Sequence, residues 1–360
     1  MPVPDLAVLA ERFRTFAATS ASRAPLYQRL SLGIADDPEL LALLRTAPEQ
    51  QAIPVLLFAA THHLLLSGDE HPVAGYYPSL TEHPHTDDPV PAWRDFALSR
   101  ADRIEALVAT RSTQTNEVGR CAWFVPALGL LDGEVGPLAM VDVGTSAGLN
   151  LQLPRYRYEY TPGGVVGGAS PVHLECGTHG DPPIPLQMPR IAAAIGIDAS
   201  TITTDDTDGL RWLQACVWPD QADRFHRLAA AIDMARAVPL DVRAGDAVAD
   251  LGGVVGEAAQ HGHPVVVNSW VLNYLSPAQR LAYVAELDSI GSSNDVSWVL
   301  AESPAETPEL PIPTTAEPEQ ITVLSVVRWR GGTRHVHRLA TTHPHGYWLR
   351  WEAGQAPFSG

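Results

Sequence analysis

MVDVGTSAGLNLQL, residues 140–153, sets a strand, a tight glycine loop and a short apolar run in a row. Apolar residues lead into Asp142, and Gly144-Thr145-Ser146-Ala147-Gly148 follows at once. Two chemistries use such a loop. As G-x-S-x-G it is a nucleophile elbow, with Ser146 exposed on a strand-to-helix turn. As D-x-G-x-(G/S)-x-G it is a cofactor loop, whose small residues let backbone approach a ligand. Ser146 is the catalyst in the first and a glycine substitute in the second.

The flanking sequence changes texture at about residue 136. Residues 1–135 read as a helical N-terminal domain, with i, i+3, i+4 apolar spacing in DLAVLAERFRTFA and PELLALLRTAPEQQAIPVLLFAATHHLLLSG. Between its helices, HPVAGYYPSLTEHPHTDDPVPAW (71–93) is an ordered loop rich in Pro, His and Asp. Residues 136–360 alternate short apolar runs with helical stretches, which predicts parallel βαβ units. Strands are expected at 138–143, 193–198, 240–246, 264–270 and 296–302. ITVLSVVRW and HRLATTHPHGYWLRW, joined by RGGTR, form a C-terminal antiparallel hairpin. A further β-hairpin is inserted at about 155–180, and SPAETPELPIPTTAEPEQ (303–320) is a Pro/Glu-rich connector.

Composition narrows the function classes. The 360 residues are 45% hydrophobic and 18% charged, as in a globular protein of about two domains. No apolar run reaches the ~20 residues that span a bilayer. The N-terminus lacks the basic region of a signal peptide, so a cytoplasmic protein without membrane attachment is expected. The net charge of −17 opposes a phosphate backbone and argues against a nucleic-acid partner. Every basic residue is Arg, which removes lysine nucleophiles and Schiff bases. The three scattered cysteines have no C-x-x-C pair and read as buried thiols.

A serine hydrolase would need an acid and a histidine after Ser146, with His343 or His345 as base. It would also need an oxyanion loop upstream, where the chain reads as helical. A cofactor site instead needs polar residues at the carboxyl ends of successive strands. GIDAS supplies Asp198, RAGDAVADL supplies Asp246 and Ala247, and VVVNSWVLNYL supplies Asn268. Each has a plain structural alternative: turn glycines at 144 and 148, helix N-caps at Asp198 and Asp246, and backbone satisfaction by Asn268.

These four segments, in this order, resemble the class I S-adenosylmethionine-dependent methyltransferases over roughly residues 115–360. The resemblance implies an α/β fold with a Rossmann-like core: a mostly parallel seven-stranded sheet, a C-terminal antiparallel hairpin, and here the helical N-terminal cap. It implies S-adenosylmethionine as cofactor, held at Asp142, Gly144, Ser146, Gly148, Asp198, Asp246, Ala247 and Asn268. QTNEVGR, VGTSAGLN, YRYEY and WPDQADR look, more narrowly, like a bacterial family of unknown function with this core. That likeness adds Asn116 and Arg120 as partners of the cofactor carboxylate. Two departures stand out: Ser146 replaces the usual middle glycine, and Pro154 cuts short the following helix. Asp198 lies 50 residues after Gly148, where about 20 is usual, so Glu175 is a rival ribose ligand.

The implied reaction is methyl transfer to a small-molecule or sugar-like acceptor, with a hydroxyl as the expected acceptor group. The strand-four motif lacks the (N/D)-P-P-(Y/F) box of enzymes that methylate nucleic-acid amino groups. A hydroxyl acceptor needs a base, and His63, His71 and Tyr76 are the candidates. The alternatives are a serine hydrolase using Ser146, a nicotinamide-binding enzyme, and a non-catalytic S-adenosylmethionine-binding protein. Histidine pairs at 83/85, 261/263, 335/337 and 343/345 lack a carboxylate or Cys at ligand spacing, so no metal is expected.

Overall fold

A computed structural model describes residues 5–20, 23–311, 322–354 and 357–358. Part of the proposed connector, 312–320, lies outside the described residues. The chain divides into two units. Unit 1 comprises residues 1–116 and 205–229, and unit 2 comprises 117–204 and 230–360.

Unit 1 is helical. It contains α1 (Leu6–Ser20), α2 (Pro25–Ala35), α3 (Pro38–Ala42), α4 (Pro54–Leu66), α5 (Val90–Ser99) and α6 (Ala101–Thr110). Pro begins α2, α3 and α4, where its missing N–H has no helical partner to lose. α4, PVLLFAATHHLLL, has no polar stripe, and its residues are buried almost all round. Such a helix belongs in the middle of a bundle. Phe58 on α4 stacks on Tyr27 at 4.1 Å between centroids, and Leu9, Phe13, Trp93, Ile104 and Trp212 complete this core.

Later in the chain come α7 (Cys121–Val135), α8 (Thr207–Ala215), α9 (Ala222–Ala237), α10 (Leu251–Ala258) and α11 (Pro277–Ser293). α8 belongs to unit 1, whereas α7 belongs to unit 2 and packs on its sheet. The texture of the sequence changes at 135/136, whereas unit 2 begins at residue 117, because an apolar helix has the same periodicity in either setting. Nothing local distinguishes a helix of a bundle from one lying on a sheet.

Unit 2 is built on one sheet of 11 strands. They are β1 (Leu138–Val143), β2 (Arg157–Thr161), β3 (Gly164–Val166), β4 (His173–His179), β5 (Ile191–Asp198), β6 (Asp241–Ala244), β7 (His263–Ser269), β8 (Val296–Glu302), β9 (Thr322–Arg330), β10 (Thr333–Thr342) and β11 (Trp348–Trp351). Their order is β3-β2-β4-β11-β10-β9-β8-β7-β1-β5-β6. β6, β5, β1, β7 and β8 are mutually parallel. In order of appearance they run third, second, first, fourth, fifth, so the winding reverses between β1 and β7. All residues of β1 and β8 are buried, as expected of parallel strands covered on both faces. α10 and α11 cover one face, packing Leu251, Val255, Tyr283 and Leu287 against Val141, Val266 and Trp298.

The expectation of seven strands is corrected to 11. The seven expected strands are β1 and β5 to β10, and β9 and β10 turn antiparallel through Gly331-Gly332. The addition comes from β11 and from β2, β3 and β4, where only a separate inserted hairpin was expected. β2 and β3 do form that hairpin, but β4 pairs in parallel with both β2 and β11 and so extends the main sheet. In β2, Tyr158 and Tyr160 are buried and Arg157 and Glu159 are not, the signature of a half-covered strand. That alternation gives the strand but not its neighbour.

Candidate functional site

β1 ends at Val143, and the loop Gly144–Gly148 leaves it at the point where the winding reverses. Open α/β sheets bind ligands at this position, outside the carboxyl ends of the strands. The loop is held on β5 by backbone: the Gly144 and Thr145 N–H groups donate to the Ile197 carbonyl at 2.8 and 3.2 Å. Gly144 has φ +78°, and a Cβ there would lie 2.4 Å from Val271 Cγ1, so no side chain fits. Ser146 has φ +53° and Gly148 +71°. A serine at positive φ is an uncommon conformation that its surroundings must enforce.

Asp198, at the end of β5, supplies part of that enforcement. Its Oδ2 accepts the Ser146 N–H at 2.9 Å, and its Oδ1 accepts the Ser200 N–H at 2.8 Å. The rival Glu175 lies on β4, in the part of the sheet beyond β11 and away from the loop. Asp142 is buried beneath the loop, and Thr145 Oγ1 donates to its Oδ2 at 2.7 Å. Burial, together with the nearby charge of Asp198, pushes the Asp142 carboxyl up to about 7. The Thr145 and Asn150 hydrogen bonds oppose that rise.

The remaining expected cofactor residues separate. Asp246 is exposed, and its Oδ1 accepts the Val248 and Ala249 N–H groups at 2.8 Å each, which lowers its pKa. It caps the turn before α10, and Ala247 packs on the α10 core. Asn268 is fully buried. Its amide donates to the Val143 carbonyl at 3.1 Å, and its Oδ1 accepts from Tyr283 Oη and Trp298 Nε1 at 2.8 and 2.7 Å. It therefore ties β7 to β1 and α11, the structural alternative weighed for it above. Asn116 is the last residue of unit 1's first segment, and its Nδ2 is buried. Arg120 belongs to unit 2, where Nη1 donates to the Ser269 carbonyl at 2.9 Å and Nε to the Pro344 carbonyl at 3.0 Å.

His63, His71 and Tyr76 all lie in unit 1 and do not converge on one carboxylate. His63 Nε2 faces Asp208 at 3.1 Å, and burial lowers the pKa of its ring despite that acid. His71 Nε2 meets Asp95 at 3.0 Å, and its Nδ1 accepts the Val73 N–H. The Tyr76 hydroxyl donates to Asp87 at 3.0 Å, and burial ahead of that acid raises its pKa.

Sequence reasoning missed Glu302, the last residue of β8 and completely buried. Its Oε1 accepts the Val271 and Leu272 N–H groups at 3.0 and 3.3 Å, clamping the segment whose Val271 meets Gly144. Burial pushes this carboxyl up to about 7, against those two hydrogen bonds and the charge of Arg120. Its Oε2 and Ser269 Oγ are buried without a hydrogen-bond partner. The signal was present: VSWVLAE ends in an acid, as β5 does at Asp198, and β1 carries Asp142 one residue before its end. Among the described residues, no group of three or more His, Cys, Asp or Glu is arranged to hold a metal. Nor is any described helix long and apolar enough to cross a membrane.

An edge of this kind defines a mixed α/β protein with a candidate ligand site at the reversal of its parallel strands. The chain belongs to the family described as uncharacterized protein conserved in bacteria (DUF2332), whose model matches residues 10–351. No curated protein and no solved structure matches it.

Proposed function

We propose that unit 2 is a Rossmann-like S-adenosylmethionine-binding core, and that the protein transfers a methyl group to a small-molecule or sugar-like hydroxyl. One observation carries the reading: the carboxylate ending β5 bonds the backbone of the glycine loop ending β1, at the winding reversal. The donor set suits the cofactor's chemistry. A carboxylate has about four acceptor positions, and Asp198 gives one per oxygen to Ser146 and Ser200, leaving acceptors for two ribose hydroxyls. Asp246 keeps Oδ2 for the adenine amino group while Oδ1 caps its turn. Asp142 lies where a cationic ligand favours its ionised form. Asn268 serves by holding β7 against β1.

When bound, S-adenosylmethionine supplies an electrophilic methyl group on a sulfonium. The protein's part is alignment, placing an acceptor atom about 3 Å from the methyl carbon on the side away from sulfur. Calorimetric titration with S-adenosylmethionine and S-adenosylhomocysteine, with NAD as control, tests the reading. Micromolar binding of the sulfur ligands is expected. Asp198→Ala should weaken it roughly tenfold or more, since a hydrogen bond to a charged group contributes about 1.5–3 kcal/mol. No binding at millimolar ligand overturns the proposal.

A second reading has one observation in its favour. Ser146 at φ +53° is the strained serine that a nucleophile elbow requires. Covalent labelling by a fluorophosphonate probe, lost in Ser146→Ala, would establish the hydrolase in place of the methyltransferase.

A further inference from the structure

The candidate bases His63, His71 and Tyr76 lie in unit 1, yet unit 2 carries an imidazole beside a buried carboxylate at its own candidate edge. Glu117 is 5% exposed. Its Oε1 accepts the Gly119 N–H at 2.9 Å, which fixes the carboxylate, and its Oε2 lies 3.8 Å from His345 Nδ1. That separation is an ion-pair distance, longer than a hydrogen bond; such contacts often tighten only when ligands are bound. The turn carrying His345 is docked firmly. Arg120 Nε grips the Pro344 carbonyl, and a Cβ on Gly346 would lie 2.1 Å from the Gly119 oxygen. The same guanidinium grips Ser269 at the end of β7, so His345 is fastened to the strand end that flanks the glycine loop.

We infer that His345 is the general base of the site and that Glu117 positions it, so that the acceptor is a hydroxyl whose proton must be removed. This rests on the methyltransferase reading. With Nδ1 protonated and turned to Glu117, Nε2 is the nitrogen that takes a proton. In the transfer step the acceptor oxygen's lone pair forms the O–C bond as the C–S bond breaks. The electron pair of that bond goes to sulfur, which becomes neutral. The acceptor's proton passes to His345 Nε2, and Glu117 stabilises the imidazolium. Charged and titratable groups near His345 include Glu117, whose charge also acts on Cys121, Arg120 on the Pro344 carbonyl, and His343, whose ring lies against those of His345 and Tyr347.

The test needs no acceptor. S-adenosylmethionine and S-adenosylhomocysteine differ by the methyl group and by one positive charge on sulfur. A charge ~5 Å from an imidazole, at an effective dielectric near 20, lowers its pKa by roughly two units. The His345 Cε1–H signal, assigned by its loss in His345→Gln, would be titrated by NMR with each ligand bound to the full-length protein. A pKa at least one unit lower with S-adenosylmethionine than with S-adenosylhomocysteine is expected. Glu117→Gln should lower the pKa in both complexes while calorimetry shows both ligands still bound. Equal pKa values in two demonstrably bound complexes, or no effect of Glu117→Gln, would overturn the assignment of His345. Failure of both ligands to bind would instead remove the methyltransferase reading beneath it.

Discussion

The titratable groups of the two units are organised on opposite plans. In unit 1, His63, His71 and Tyr76 turn to three different carboxylates, Asp208, Asp95 and Asp87. Each acid lies at the surface, and although His63 on α4 meets Asp208 from α8, the three pairs stay separate from one another. In unit 2, residues from separate stretches meet at one end of the sheet: Arg120, Asp142, Thr145, Asp198, Ser269 and Glu302. There the carboxylates grip backbone N–H groups and a hydroxyl, so the ionisable groups hold the loops in place. The contrast shows why a catalytic-looking residue type is weak evidence. Convergence from distant parts of the chain is the stronger sign of a site, because no local need explains it.

Four substitutions would break or sharpen this contrast. The largest effect is expected from Gly144→Val, which combines a φ of +78° with a Cβ 2.4 Å from Val271. A loss of about 4 kcal/mol or more is expected, seen as failure to accumulate folded protein. Wild-type stability in this variant would show that the loop is not clamped. Next is Asn268→Leu, which strands the Val143 carbonyl, the Tyr283 hydroxyl and the Trp298 N–H in the core. Unpaired buried groups cost about 1–3 kcal/mol each, and some relaxation is expected, so urea melts should show a loss of about 3 kcal/mol.

Asp142→Asn should act through pH. A carboxyl raised from an unfolded value near 4 to about 7 favours the folded state fully below the unfolded value. That contribution is lost as pH rises through the folded value. Wild type should therefore lose up to ~1.4 kcal/mol per pH unit between about 4 and 7 relative to the variant. Denaturant melts at pH 4.5 and pH 8 should show the variant gaining on wild type at the higher pH, and parallel curves would refute the buried carboxyl. Glu302, raised for the same main reason, has the same sign. The smallest effect is expected from His71→Gln in unit 1. Exposed ion pairs contribute about 0–1 kcal/mol, so its thermal midpoint should move by only a few degrees. A large loss of ligand binding in that variant would reverse the contrast between the units.

Much of the sheet was legible because parallel strands buried on both faces must be short and uniformly apolar. LAMVDV and VSWVLAE became β1 and β8 with the boundaries read from sequence. The glycine loop was legible too, since few other residues accept its backbone angles. The partners of Asn268 were not legible for a physical reason: its position at a strand end is the same whether its amide faces a ligand or Tyr283 and Trp298. Arg120 was singled out, but its grip on the residues around 344 joins positions more than 200 apart, which no local pattern encodes.

By itself the sequence determined the α/β class, the helical first segment and the strand–loop–strand acid pattern, because those follow from side-chain periodicity and backbone sterics over a few residues. Tertiary structure alone decided that β4 and β11 join the main sheet, and that 205–229 returns to the helical unit. It also decided which buried carboxylates face the glycine loop. Those outcomes depend on pairing between distant strands, where many partners satisfy the same backbone hydrogen bonds and only packing of the whole unit selects among them.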